Sequence, residues 1–173
     1  MAASAPTLLS RPHRVVGVGD LAVCDDAQLI LSTYALGSCI GVVAYEPLLK
    51  VGGILHLMLP DSSLSPAKAA ATPAVFADTG LPRFFSLLAG RGARAPRLEL
   101  LLAGGANVIQ GHDPFCIGER NLRATVDFLS RHGHAVRHSE VGGSVNRTVH
   151  LGIASGLVTV KTPAGEQQFC LNG

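Results

Sequence analysis

Between Ala35 and Pro60 the chain is almost wholly apolar, and this run restricts the fold more than any other feature. A membrane-spanning helix needs about 20 unbroken apolar residues. Here Glu46-Pro47 falls near the middle, with Lys50, His56 and glycines at 37, 41, 52 and 53 around it. Two strands joined by a hairpin fit better: residues 39–45, a turn over 46–50, then residues 51–57. Strands covered on both faces read as continuous apolar runs, because neither face alternates with polar residues.

Shorter signals flank this hairpin. Residues 14–18, 21–24 and 29–33 read as strands, parted by Gly19-Asp20 and Asp25-Asp26. Residues 62–72 are rich in Ser, Ala and Pro with little periodicity and read as a flexible loop. Helix is expected over 73–78 and 82–89, broken at Gly80 and Pro82. Residues 98–103 form a strand stopped by Gly104-Gly105, and 107–113 a loop. Residues 117–132 carry the clearest helical period, with Ile117, Leu122, Val126 and Leu129 on one stripe and Gly133 at the position of a left-handed cap. Residues 135–141, 148–153 and 156–162 supply three last strands. Helices do not alternate one for one with strands, which disfavours a doubly wound parallel sheet. The expected fold is α+β: mixed or antiparallel β-sheets packed together in a sandwich-like core, with helices on the outside.

A chain of 173 residues is expected to form a single domain over 1–173, its first 13 residues a loose N-terminal arm. Charged residues make up 15%, against about 25% in an average soluble domain, so either the core is large or some surface expects a partner. A net charge of +2 without basic runs argues against nucleic acid or an anionic membrane. The first residues lack the charged start and apolar core of a secretory signal, so a cytoplasmic protein is expected. Cys24, Cys39, Cys116 and Cys170 lie far apart, which in such a chain argues against both a disulfide framework and a zinc ribbon.

Of the four cysteines, three read as small buried hydrophobes. Cys39 differs. Gly37 before it permits unusual backbone angles, Ser38 is small and polar, and backbone N–H groups there could bind an oxyanion. A reactive thiol needs its thiolate, hence a nearby protonated histidine or a helix N-terminus. The hairpin brings His56 onto the strand beside Cys39; on composition alone it stands equally as a base or as a structural histidine. Thr33 is a plain strand residue or, through its hydroxyl, an acceptor that orients His56. His132, His134 and His138 suggest a metal only weakly, since no carboxylate or cysteine stands at ligand spacing.

The order of these motifs resembles the CheD family of chemoreceptor glutamine deamidases. Thr33-x-x-x-Gly37-Ser38-Cys39 is followed by Gly53-Ile-Leu-His56-Leu-Met-Leu-Pro60. Val16-Gly-Val-Gly-Asp-Leu-Ala-Val23 resembles the opening strand motif, Gly104-Gly105-Ala106 the glycine turn, and Ile117-Gly118-Glu-Arg120-Asn121 the helix start. Val141-Gly142-Gly143 through Arg147 and Gly156-Leu-Val-Thr-Val-Lys161 resemble the last strands. Phe76, where the family usually has tyrosine, Asn146, where it has glycine, and the Arg- and Gly-rich stretch 89–96 depart from the pattern.

The resemblance implies a protein-glutamine deamidase that converts selected glutamines of methyl-accepting chemotaxis receptors to glutamate. Cys39 would be nucleophile, His56 base, Thr33 the orienting group, and Gly37 and Ser38 the oxyanion backbone. It implies no metal or organic cofactor. Receptor cytoplasmic domains would be substrates and a CheC-type phosphatase a partner; a methyl ester could enter the same thioester route. The competing readings are a diverged binding module for receptors or CheC, without turnover, and a metal hydrolase built on His132, His134 and His138.

Overall fold

The computed structural model describes residues 11–109 and 113–173. In chain order its strands are β1 (His13–Val15), β2 (Asp20–Cys24), β3 (Ile30–Leu36), β4 (Ile40–Glu46), β5 (Val51–Leu57), β6 (Glu99–Gly104), β7 (Val136–Val141), β8 (Arg147–Gly152), β9 (Leu157–Thr162) and β10 (Gly165–Cys170). The α-helices are α1 (Pro66–Ala71), α2 (Ala77–Gly90) and α3 (Ile117–Arg131). The strands form two five-stranded mixed sheets, ordered β1-β3-β8-β9-β10 and β2-β5-β4-β6-β7. Only β1–β3 and β6–β7 run parallel. This is the expected α+β class with packed sheets.

The apolar run is explained by position. β4 and β5 pair antiparallel from Ile40↔Leu57 to Glu46↔Val51, and every residue of both is buried. Val43, Tyr45 and Ile54 join Leu31, Val149, Leu151 and Val158 in the layer between the sheets. Val42, Ala44 and Leu55 face the other way, onto Leu81, Phe84 and Leu88 of α2 and Leu129 of α3. The second sheet therefore lies between the first sheet and the helices, and neither face of its central strands meets water.

Several local expectations change. Residues 62–72 are not a loop: a 3₁₀ turn over Ser62–Leu64 leads into α1. Asp61 accepts from Ser63 N, and Ser62 donates through its amide and hydroxyl to Asp78. Pro66 stands in the first turn, ahead of an Ala-rich stretch of high helix propensity. The segment shows no apolar period because α1 buries none of its residues. α2 runs unbroken through Gly80 and Pro82. An interior proline costs about 3 kcal/mol, but Leu81, Phe84 and Leu88 are fully buried, each contributing about 1.5–3 kcal/mol.

β10 was not expected; its Glu-Gln-Gln core is polar and exposed, and it pairs only with β9 at the sheet edge. His13, placed in the loose arm, belongs to β1; residues 1–10 lie outside the described residues. Nor are all the other cysteines buried: Cys24 is, whereas Cys116 and Cys170 are exposed.

Candidate active site

Thr33 on β3 and His56 on β5 come from different sheets and meet in the layer between them. Both are buried. Thr33 Oγ1 lies 2.7 Å from the Val16 carbonyl oxygen and 2.8 Å from His56 Nδ1. A hydroxyl has one hydrogen to give, and a carbonyl can only accept. The Thr33 proton therefore goes to Val16 O, and Oγ1 accepts from Nδ1–H. This fixes the imidazole tautomer, with the lone pair on Nε2. That nitrogen is buried and has no hydrogen-bond partner among the described residues. The main chain of His56 is held as well, since Gly19 N donates to its carbonyl at 2.8 Å.

Cys39 stands immediately before β4. His56 pairs with Gly41, and residues two apart along a strand share a face, so Cys39 lies toward the face that carries His56. It is half-buried and packs against the core between the sheets. The segment leading to it is shaped by a bulge: Thr33 pairs with Val149 but Leu36 with Arg147, and Ala35 adopts a left-handed φ of 56°. Gly37 allows close approach, since a Cβ there would come within 2.8 Å of Asn146 Oδ1.

Successive carbonyls around the cysteine are then tied down. Ala106 N donates to Gly37 O and Gly105 N to Cys39 O, both at 2.8 Å. The Asn121 side-chain amide donates to Ser38 O at 2.9 Å. Gly104 takes φ of 105°, and any Cβ on it would overlap the Cys39 carbonyl oxygen.

Burial sets the charge state. It pushes the His56 imidazole down to about 4 and the Cys39 thiol upward. Both effects favour neutral forms, so the expected protonated histidine beside a resting thiolate is not the state this environment favours. A neutral imidazole with a free Nε2 is instead ready to remove a proton as the sulfur reacts.

The other histidines sit elsewhere. His132 stacks on Phe128 and His134 on Phe85, each with ring centroids 4.0 Å apart, and His138 lies against Phe169. Among the described residues no group of three His, Cys, Asp or Glu is placed to hold a metal ion. His112 lies outside the described residues. Asn121 had been noted only as part of the helix-start motif; a buried amide facing two carbonyls is a tertiary fact that spacing does not reveal.

The profile of the CheD chemotactic sensory transduction family matches residues 58–162. The chain belongs to the CheD family. The matched stretch opens just after His56 and contains the bracing elements, Gly104–Ala106 and Asn121. Relatives extend the likeness toward the N-terminus. A probable chemoreceptor glutamine deamidase, CheD 2 of Anaeromyxobacter dehalogenans, is 46% identical over 147 residues, covering 85% of this chain and 92% of that protein. A probable CheD 1 of Syntrophus aciditrophicus is 41% identical over 87% of this chain and 94% of its own length. The corresponding protein of Pyrococcus abyssi is 37% identical over 88% and 93%. With 85–88% of the chain aligned, fewer residues stay outside than precede Thr33, so each alignment crosses the segment 33–56.

Proposed function

We propose that this chain is a protein-glutamine deamidase of chemoreceptors, working as a single domain through Cys39, His56 and Thr33. The observation that carries this reading is the spent Thr33 hydroxyl: it donates to Val16 O, accepts from His56 Nδ1–H, and leaves Nε2 as an unpartnered base. The relatives named as chemoreceptor glutamine deamidases supply the substrate class.

His56 Nε2 takes the Cys39 proton as the sulfur bonds to the glutamine amide carbon, and the C=O electrons move onto oxygen. The Ser38 and Cys39 amides are the donors proposed for that oxyanion, with Gly37 giving the turn its shape. The imidazolium returns its proton to nitrogen, the C–N bond breaks, and ammonia leaves a thioester. Water, deprotonated by Nε2, then releases glutamate and the thiol. Burial that holds the histidine near 4 makes the imidazolium a ready proton donor to the departing nitrogen.

The substrate would be the cytoplasmic helical domain of a receptor, so the enzyme would act in the cytoplasm. Among the described residues no helix is long and apolar enough to cross a membrane. A CheC-type phosphatase is a proposed partner. Mass spectrometry of a receptor cytoplasmic domain, before and after incubation, tests the reading. Wild type should convert particular glutamines to glutamate, and Cys39→Ala should convert none while keeping its melting temperature. Conversion by Cys39→Ala would end the cysteine mechanism. Receptor binding without conversion by wild type would replace it with the binding-module reading.

A further inference from the structure

The β4–β5 ladder ends at Ile40↔Leu57. One residue further the two chains carry Cys39 and Met58, and there no ladder pair continues. Asn121 of α3 occupies this gap. Its Nδ2 donates to Ser38 O at 2.9 Å and to Met58 O at 2.8 Å. One carbonyl precedes the cysteine by a single residue, and the other follows the histidine by two. Both partners are carbonyl oxygens, so the amide nitrogen must face them; reversed, Oδ1 would repel both. The side chain is fully buried. α3 itself is anchored beside the same loop: a Cβ on Gly118 would lie 2.8 Å from the Gly105 carbon and Ala106 oxygen.

From this geometry we infer that Asn121 is a positioning residue for the proposed reaction, a side-chain substitute for the missing ladder rung that sets the spacing of Cys39 from His56. A backbone rung would have fixed both chains rigidly, but it would also have used amide N–H groups of the Cys39 segment. A side-chain amide bonds only carbonyls. It thus holds the two strand ends together without using any backbone N–H group of either. The inference rests on the deamidase reading for its meaning but not for its measurement, because the spacing can be read from Cys39 chemistry alone.

Peptide-resolved iodoacetamide alkylation of Cys39 in the full chain, followed from pH 6 to pH 10, is the readout. Asn121→Asp keeps the size and replaces the donors with oxygens. Asn121→Gln keeps the donors, displaced by one methylene. Alkylation by Asn121→Asp should fall by roughly 10-fold near neutral pH, the loss typical of a displaced orienting partner, and approach wild type at high pH, where the thiol ionises unaided. Asn121→Gln should recover part of that loss. In a His56→Gln background the effect of either substitution should vanish, since non-additivity marks groups that act through one another. An equal loss at every pH, an undiminished loss in the His56→Gln background, or no loss would each overturn the inference. Should Asn121→Asp melt below the assay temperature, Asn121→Gln against His56→Gln carries the same cycle. If wild type fails to deamidate receptor while this coupling holds, the functional reading falls and the positioning role stands. Deamidation without coupling gives the reverse.

Discussion

Thr33 is the smallest part with the sharpest consequence. Its hydroxyl joins Val16 on one side and His56 on the other, so its removal frees the imidazole to turn. Thr33→Val keeps shape and strand preference but deletes the acceptor; it should cut kcat by roughly 10- to 100-fold. Thr33→Ser should keep most activity. Ammonia release with melts alongside tests the pair, and a fully active Thr33→Val would leave a Cys39–His56 dyad. His56 itself makes stability depend on pH. The folded group protonates near 4, the unfolded one near 6.5. Between those values the unfolded chain binds more protons, so stability falls as pH drops through that window. The loss reaches on the order of 3 kcal/mol once the pH is below both values. His56→Gln lacks this slope. Its urea midpoint relative to wild type should therefore improve steadily from pH 7 to pH 4; a constant offset would mean that His56 is not held neutral by burial.

At the scale of elements, the loop after β6 sets the backbone of the cysteine. Gly104→Ala must either leave φ of 105° or push the Cys39 carbonyl aside. It should cost at least about 2–3 kcal/mol and lower Cys39 alkylation. Gly133→Ala is the control: its φ of 70° is also left-handed, but nothing lies within 4 Å of the added carbon. It should cost about 1 kcal/mol with Cys39 unchanged. These elements also show what the sequence could reveal. β4, β5, β6 and α3 were legible because each buries a face and so prints a period or an apolar run. α1 buries nothing and β10 is a polar edge strand, so neither leaves such a mark. α2 was misread at Gly80 and Pro82 because burial of its neighbours outweighs the local penalty. Thr33, Cys39 and His56 were legible as a spaced set of residue types. The clamp from Asn121 was not, because it joins segments 83 and 63 residues apart.

For the molecule as a whole, the join between the sheets is the decisive interface. Beyond apolar packing, Tyr45 OH donates to Ile153 O at 2.9 Å across this layer, in full burial. Tyr45→Phe removes that donor and strands a carbonyl, so it should destabilise by about 1–3 kcal/mol. Since Tyr45 lies at the far end of β4 from Cys39, alkylation of the folded variant should match wild type. A slowed rate would mean that the docking of the sheets is felt at the site.

The placement of Thr33 also has a consequence in time. Cys39, just ahead of β4, and His56, on β5, flank a hairpin that leaves the ribosome early and can pair at once. Thr33 sits on β3, whose own sheet continues through β8, β9 and β10. β3 pairs with β8 in that sheet, so until β8 has been synthesised the sheet cannot close over the hairpin. A nascent chain therefore carries its cysteine beside a hydrated histidine of ordinary basicity and unfixed tautomer. In the proposed site the thiol would acquire its partnered base only once β3 has found β8, late in synthesis, so the hairpin alone would not carry the proposed chemistry.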